Sequence, residues 1–127
     1  MQEFKNPRKF THFKIHTQYS ICEGALKIDD LNTYCKENKI LSLGVSDTSN
    51  LCGALEFSEK IVKSGTQPII GTQIIFKFED QEGLLTLIAK NEQGYRNMIE
   101  LSSKSYLEND NLSKPHCKLN DLFDKNK

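Results

Sequence analysis

Hydrophobic and polar positions along the chain follow two periods, one typical of strands and one typical of helices. The segment Thr11–His16 has the two-residue period of a strand, and a loop over 17–27 follows it. Side chains of a strand point alternately to opposite faces, so we expect three polar side chains of this segment to share one face. They are His12, Lys14 and His16.

The pattern next predicts a helix that starts near Ile28, a strand that ends at Asp47, and a helix around Phe57 that closes at Gly65. A strongly apolar strand, "PIIGTQIIFKF", follows, and "EDQEG" joins it to "LLTLIA" in a predicted hairpin. The order strand, helix, strand, helix, strand indicates an α/β fold with parallel strands and a hairpin extension.

Two further elements are predicted in the last third of the chain. Asn91 is expected to cap a helix whose Tyr95, Met98 and Ile99 share one face. After this helix the sequence turns polar, and a short amphipathic piece over 119–123 runs into the end.

Composition adds limits to this picture. The 127 residues suit one domain, and 17 basic against 17 acidic residues give no bulk charge for nucleic acid or a membrane. No apolar run approaches a membrane span, and no secretory signal is expected in the basic lead-in at 1–9, which is either a solvated tail or a contact to nucleic acid. Four scattered cysteines without a Cys-x-x-Cys pair indicate reduced thiols, hence a cytoplasmic protein.

Chemistry in an α/β fold with parallel strands is expected at the carboxyl ends of the strands. Five polar residues occupy those ends: Lys14 and His16, Asp47 and Thr48, and Gln73. Imidazole and carboxylate are ordinary metal ligands, whereas an ammonium has no lone pair and an amide is a weak ligand. Two good ligands are too few for a zinc site.

Two alternatives stay open. His12 is either a third ligand or a hydrogen-bonded strand residue below the pocket. The stretch Asp47-Thr48-Ser49-Asn50 either takes part in the site or caps the following helix. A glycine-rich phosphate loop and a nucleophile elbow are both absent from the sequence.

Several motifs, in order, resemble one family over about residues 9–107. They read "FTHFKIHTQYSICEGALKI", "LGVSDTSNLCGALEF", "GTQPIIGTQIIF" and "NEQGYRNMIELSSKSY". Together they resemble the PHP (polymerase and histidinol phosphatase) domain at the N-terminus of bacterial replicative DNA polymerases, the DNA polymerase III alpha subunits.

The resemblance implies a seven-stranded, TIM-like barrel whose active members hold a metal cluster. The family's His-x-His motif reads Lys14-Ile15-His16 here, its acid-His motif reads Asp47-Thr48, and a glutamate reads Gln73. We therefore expect a vestigial, metal-free pocket formed by these residues with His12 as a neighbour. In this pocket Lys14 either forms an ion pair with Asp47, which is the favoured interpretation, or extends into water without a partner. Residues 10–127 are expected to be the N-terminal portion of an incomplete PHP domain.

The function implied by the resemblance is that of a non-catalytic segment of a polymerase that performs DNA-templated DNA synthesis in replication. The expected partners are the rest of the alpha subunit, a proofreading exonuclease subunit that docks on the segment, and DNA through the parent protein. No cofactor is expected in the segment, and Mg is expected for the parent polymerase. The alternative is an active metal-dependent phosphoesterase or 3′–5′ exonuclease.

Overall fold

The computed structural model describes residues 10–110 and 112–125, so the predicted lead-in at 1–9 lies outside the described residues. Its helices are α1 (Ile28–Asn38), α2 (Ala54–Lys63), α3 (Glu92–Leu107) and α4 (Leu119–Lys125). Its strands are β1 (Ser42–Thr48), β2 (Gln67–Phe78), β3 (Gln81–Ile88) and β4 (His116–Lys118).

The sheet is built around the long strand β2. One edge of β2 pairs in parallel with β1, from Ser42 opposite Gln67 to Thr48 opposite Gln73, and further along with β4. The other edge pairs antiparallel with β3, which confirms the predicted hairpin. The described residues thus form a four-stranded mixed sheet, whereas the seven-stranded barrel stays a prediction and β4 was not predicted.

The predicted first strand over Thr11–His16 is wrong as a regular strand. The segment runs beside β1, where the Gly44 amide donates to the His12 carbonyl at 2.7 Å and the Ser46 amide to the Ile15 carbonyl at 2.8 Å. A regular parallel ladder would match these two donors with carbonyls two residues apart, but here they are three residues apart. The extra residue breaks the alternation of side chains, as in a bulge.

Helices α1 and α2 cover one face of β1. Their apolar positions, including Ile28 and Phe57, pack with Leu43 and Val45 of β1 in one buried cluster. Odd-numbered residues of β1 therefore point to the helices, and even-numbered residues point to the opposite face of the sheet.

The third helix packs on β2 through a face that differs from the predicted one. Asn91 caps α3 as expected, since its side chain accepts from the Gly94 amide at 2.9 Å. Met98 and Leu101 are buried, but Ile99 is 43% exposed because it lies on the outer side of the helix. Within the described ranges, no helix has the length and apolar character to cross a membrane.

Candidate functional site

The carboxyl ends of β1 and β2 divide the predicted site residues between two faces of the sheet. Thr48 lies opposite Gln73 in the register, and Asp47 lies opposite Thr72. Since successive residues of a strand alternate, Thr48 and Gln73 share one face, and Asp47 lies on the face that carries the helices. The structure therefore separates the carboxylate from the two neutral residues of the predicted pocket.

Asp47 is a buried anchor for the loop at 17–24. Its Oδ1 accepts from the Thr17 amide at 2.6 Å and from the Ser20 hydroxyl at 2.7 Å. Its Oδ2 accepts from the Thr17 hydroxyl at 2.7 Å. The side chain is 3% exposed, so these three bonds replace the water that a carboxylate needs. The predicted ion pair with Lys14 is wrong: no salt bridge joins the two residues among the described ones, and Lys14 is exposed.

The His16 side chain lies at the carboxyl end of β1, next to Ser20 of the loop and Thr48 of the strand. Its Nδ1 lies 3.2 Å from the Ser20 Oγ and 3.4 Å from the Thr48 Oγ1. It also lies 3.9 Å from Oε2 of Glu23, a residue that the sequence analysis did not single out. The Thr48 hydroxyl donates to the same carboxylate oxygen at 2.5 Å. His16, Thr48 and Glu23 are thus brought together in one cluster.

Gln73 lies on the neighbouring strand and turns towards β3. It is 2% exposed, and its Nε2 donates to the Thr86 Oγ1 at 2.8 Å, directly across the hairpin. Its backbone carbonyl accepts from the Ser49 amide at 2.7 Å. The Gln73 amide therefore forms its hydrogen bond with a neutral hydroxyl and adds no charge at the strand ends.

His12 lies away from this cluster. Its ring contacts the Phe10 ring edge-on, with centroids 4.7 Å apart. With Ile15, Leu31 and Tyr34 it borders an apolar groove of about 450 Å³ beside α1. The His12 backbone carbonyl accepts from the Gly44 amide at 2.7 Å. The choice between a ligand and a hydrogen-bonded residue below the pocket stays a prediction.

The loop is also fastened to α2 through Tyr19. The Tyr19 hydroxyl donates to Glu56 Oε2 at 2.6 Å, and Lys60 Nζ lies 2.8 Å from Glu56 Oε1 and 2.6 Å from Asp29 Oδ1. The hydrogen bonds from Lys60 and then Tyr19 lower the pKa of Glu56. The bond to the Glu56 carboxylate raises the pKa of Tyr19, and bonds to Asp29 and Glu56 raise the pKa of Lys60.

Beside the cluster lies an open cavity of about 390 Å³ that Thr48, Glu23, Glu82 and Lys114 help to line. Sequence reasoning missed Glu23 because it follows the predicted strand by seven residues, in a loop without a periodic pattern. The one available signal was an acidic residue close behind His16 in that loop.

The side chains do not fit a resident metal cluster. Within 10–110 and 112–125, no group of three or more His, Cys, Asp or Glu side chains is placed to hold a metal ion. His16 and Glu23 are the ligand types that face each other here, and the nearest neighbours of the His16 Nδ1 are the neutral hydroxyls of Ser20 and Thr48.

A family model described as the PHP domain matches residues 12–127. The chain belongs to the PHP domain family.

Curated relatives are named DNA polymerase III subunit alpha. The one of Haemophilus influenzae is 37% identical over 101 residues, which are 77% of this chain and 9% of the relative. That of Helicobacter pylori is 39% identical over 112 residues, 82% of this chain and 9% of the relative, and that of Rickettsia felis is 36% identical over 117 residues, 91% and 10%. The chain spans about a tenth of the length of these relatives.

A solved structure supports the fold. A protein of Bifidobacterium adolescentis, provisionally assigned as a metal-dependent phosphoesterase, superposes with a TM-score of 0.55 at 17% identity. The match covers 79% of this chain and 36% of that protein. At this identity the likeness concerns the α/β fold alone.

Proposed function

We propose that this chain is the N-terminal PHP segment of a DNA polymerase III alpha subunit and serves there as a metal-free scaffold. The identity of 35–39% to subunits of that name supports the polymerase context. The parent protein then performs DNA-templated DNA synthesis with Mg, bound by residues outside this segment. The segment itself contributes a folded platform.

One observation carries the metal-free role: Asp47, the acid at the carboxyl end of β1, accepts hydrogen bonds from three protein donors on the helix side of the sheet. On the other face, Thr48 and Gln73 are engaged with Glu23 and Thr86 in place of an ion. A pocket that holds no cation has nothing to balance the charge of additional carboxylates. Neutral hydrogen-bonding groups such as Thr48 and Gln73 therefore suit it. The pocket is in this sense vestigial.

Metal analysis tests this role. The purified chain is incubated with Zn²⁺ or Mn²⁺, freed of loose ions by gel filtration, and assayed by elemental mass spectrometry. We expect substoichiometric metal in the wild type and an equal trace in Glu23→Gln. Stoichiometric metal that falls in Glu23→Gln, but not in Glu79→Gln, which lies in the turn between β2 and β3 and does not line this cavity, would overturn the proposal.

The second candidate is a metal-dependent phosphoesterase or 3′–5′ exonuclease. It is favoured by the approach of His16 to Glu23 at 3.9 Å and by the assignment of the structural neighbour. Release of phosphate from p-nitrophenyl phosphate in the presence of Mn²⁺, abolished in His16→Ala, would support it. The scaffold proposal expects no release above that of His16→Ala.

We further propose that a proofreading exonuclease subunit docks on the outer face of the helices. Leu55 and Val62 lie two turns apart on α2 and are 69% and 58% exposed, so their apolar surface is accessible to a partner. Leu55→Glu with Val62→Glu is expected to weaken binding of the parent subunit to the exonuclease, measured by surface plasmon resonance. Lys63→Glu on the same helix is the matched control. Unchanged binding of the double variant would exclude this face.

A further inference from the structure

The Ser20 hydroxyl has a complete set of partners except on the side of His16. Ser20 is fully buried, and its single proton goes to Asp47 Oδ1 at 2.7 Å. One of its two lone pairs accepts from the Thr48 amide at 3.1 Å. The remaining lone pair is the one available to His16 Nδ1 at 3.2 Å.

The Thr48 hydroxyl is committed in the same way. Its proton goes to Glu23 Oε2 at 2.5 Å, so towards His16 Nδ1, at 3.4 Å, it has only lone pairs to offer. Two hydroxyl oxygens without a spare proton therefore face the same ring nitrogen. A ring nitrogen in this position makes a hydrogen bond only if it carries the proton itself.

We infer that His16 is held as the Nδ1–H tautomer and that its ring closes a hydrogen-bonded latch between the loop at 17–24 and the end of β1. The latch runs from the imidazole through Ser20 to Asp47 on one branch and through Thr48 to Glu23 on the other. The hydroxyl protons of Ser20 and Thr48 point away from the ring, towards Asp47 and Glu23. The proton of the neutral ring is therefore on Nδ1, and the lone pair is on Nε2. His16 is a positioning residue for the loop.

This assignment does not depend on the metal-free role proposed above. A metal ion on Nε2 would leave the proton on Nδ1 and the latch intact, and elemental analysis would report it. The NMR result and the metal content are therefore independent, and an Nε2–H tautomer would overturn this inference without changing the conclusion of the elemental analysis.

Nitrogen-15 NMR of the imidazole tests the inference. Spectra are recorded over a series of alkaline pH values and are read where the imidazole shifts no longer change with pH, so that a neutral ring is observed. We expect the shifts of His16 to report a protonated Nδ1. His116 is the internal control, because its Nδ1 lies 2.8 Å from the Lys114 carbonyl, which only accepts.

Variants identify the cause of the tautomer. Thr48→Ser keeps both acceptors and is expected to retain the Nδ1–H form, whereas Ser20→Ala with Thr48→Val removes both and is expected to shift His16 towards Nε2–H. His116 should not change in any of them. A wild-type ring protonated mainly at Nε2, or a folded double variant that keeps Nδ1–H, would overturn the inference. If the double variant does not fold, the wild-type spectrum decides.

Discussion

Asp47 and Thr48 are adjacent in the chain, but their side chains leave β1 on opposite faces of the sheet. Asp47 holds the loop at 17–24 against the helix side through Thr17 and Ser20. Thr48 holds the same loop from the other face through Glu23. The loop is therefore held at the carboxyl end of β1 by hydrogen bonds on both faces of the sheet. Asp47 accepts these bonds on one face, and Thr48 donates on the other.

Asp47→Ala is expected to destabilise the protein by about 3 kcal/mol, because it leaves three donors without an acceptor in a buried site. Urea denaturation followed by circular dichroism measures this. Asp80→Ala, in the exposed hairpin turn, is the control and should stay within about 0.5 kcal/mol of wild type. Equal effects of the two changes would show that the Asp47 contacts contribute nothing.

Lys14→Ala is expected to change the free energy of unfolding by less than about 0.5 kcal/mol, since the exposed ammonium does not compensate Asp47. A double-mutant cycle of Lys14→Ala with Asp47→Asn should then be additive. A coupling energy of about 1 kcal/mol or more would contradict this expectation and would support the ion pair predicted from the sequence.

Gly71→Ala is expected to cost about 2 kcal/mol or more, because backbone atoms of both neighbouring strands flank the added methyl group. A Cβ at this position would lie 2.5 Å from the Leu87 carbonyl oxygen and 3.1 Å from that of Val45. Gly83→Ala on β3 meets nothing within 4 Å and serves as the control. The melting temperatures of the two variants should differ clearly; similar values would contradict the close packing at Gly71.

Alkylation should separate the four cysteines into two classes. Burial raises the pKa of the Cys117 thiol to about 11 and also raises that of Cys35, while Cys22 and Cys52 are exposed. Since the thiolate is the nucleophile, we expect iodoacetamide at pH 8 to label the exposed pair first and the buried pair only after unfolding. Peptide mass spectrometry of native and urea-treated samples measures this. Early labelling of Cys117 would contradict the burial.

Glu56→Gln is expected to lower stability at neutral pH and to matter less in acid. The hydrogen bonds from Lys60 and Tyr19 hold the pKa of Glu56 below its ordinary value of 4.5, so their contribution is present above that pH and is lost as the pH falls through the folded-state pKa. Urea midpoints from pH 3 to pH 7 measure the difference between variant and wild type. Glu59→Gln, exposed on the same helix, is the control, and a difference that grows in acid would refute the argument.

The sequence by itself determined the order of most elements and the family. The helical spacing of Ile28 and Leu31, the apolar run of β2 and the cap at Asn91 are local signals, and local signals survive without knowledge of distant contacts. The motifs that carry the resemblance are contiguous stretches of the same kind, and the match of the PHP model confirmed them.

Only the tertiary structure decided how the residues at the strand ends are used. The predicted alternation of His12, Lys14 and His16 failed because one extra residue fits between the two hydrogen bonds that join this segment to β1. That displacement depends on how two strands distant in sequence meet. Likewise, Asp47 is hydrogen-bonded to Thr17 and Ser20 and not paired with Lys14, because the loop places these donors next to the buried carboxylate. At a buried site, fixed donors at short range stabilise a carboxylate more than a mobile, solvated ammonium does.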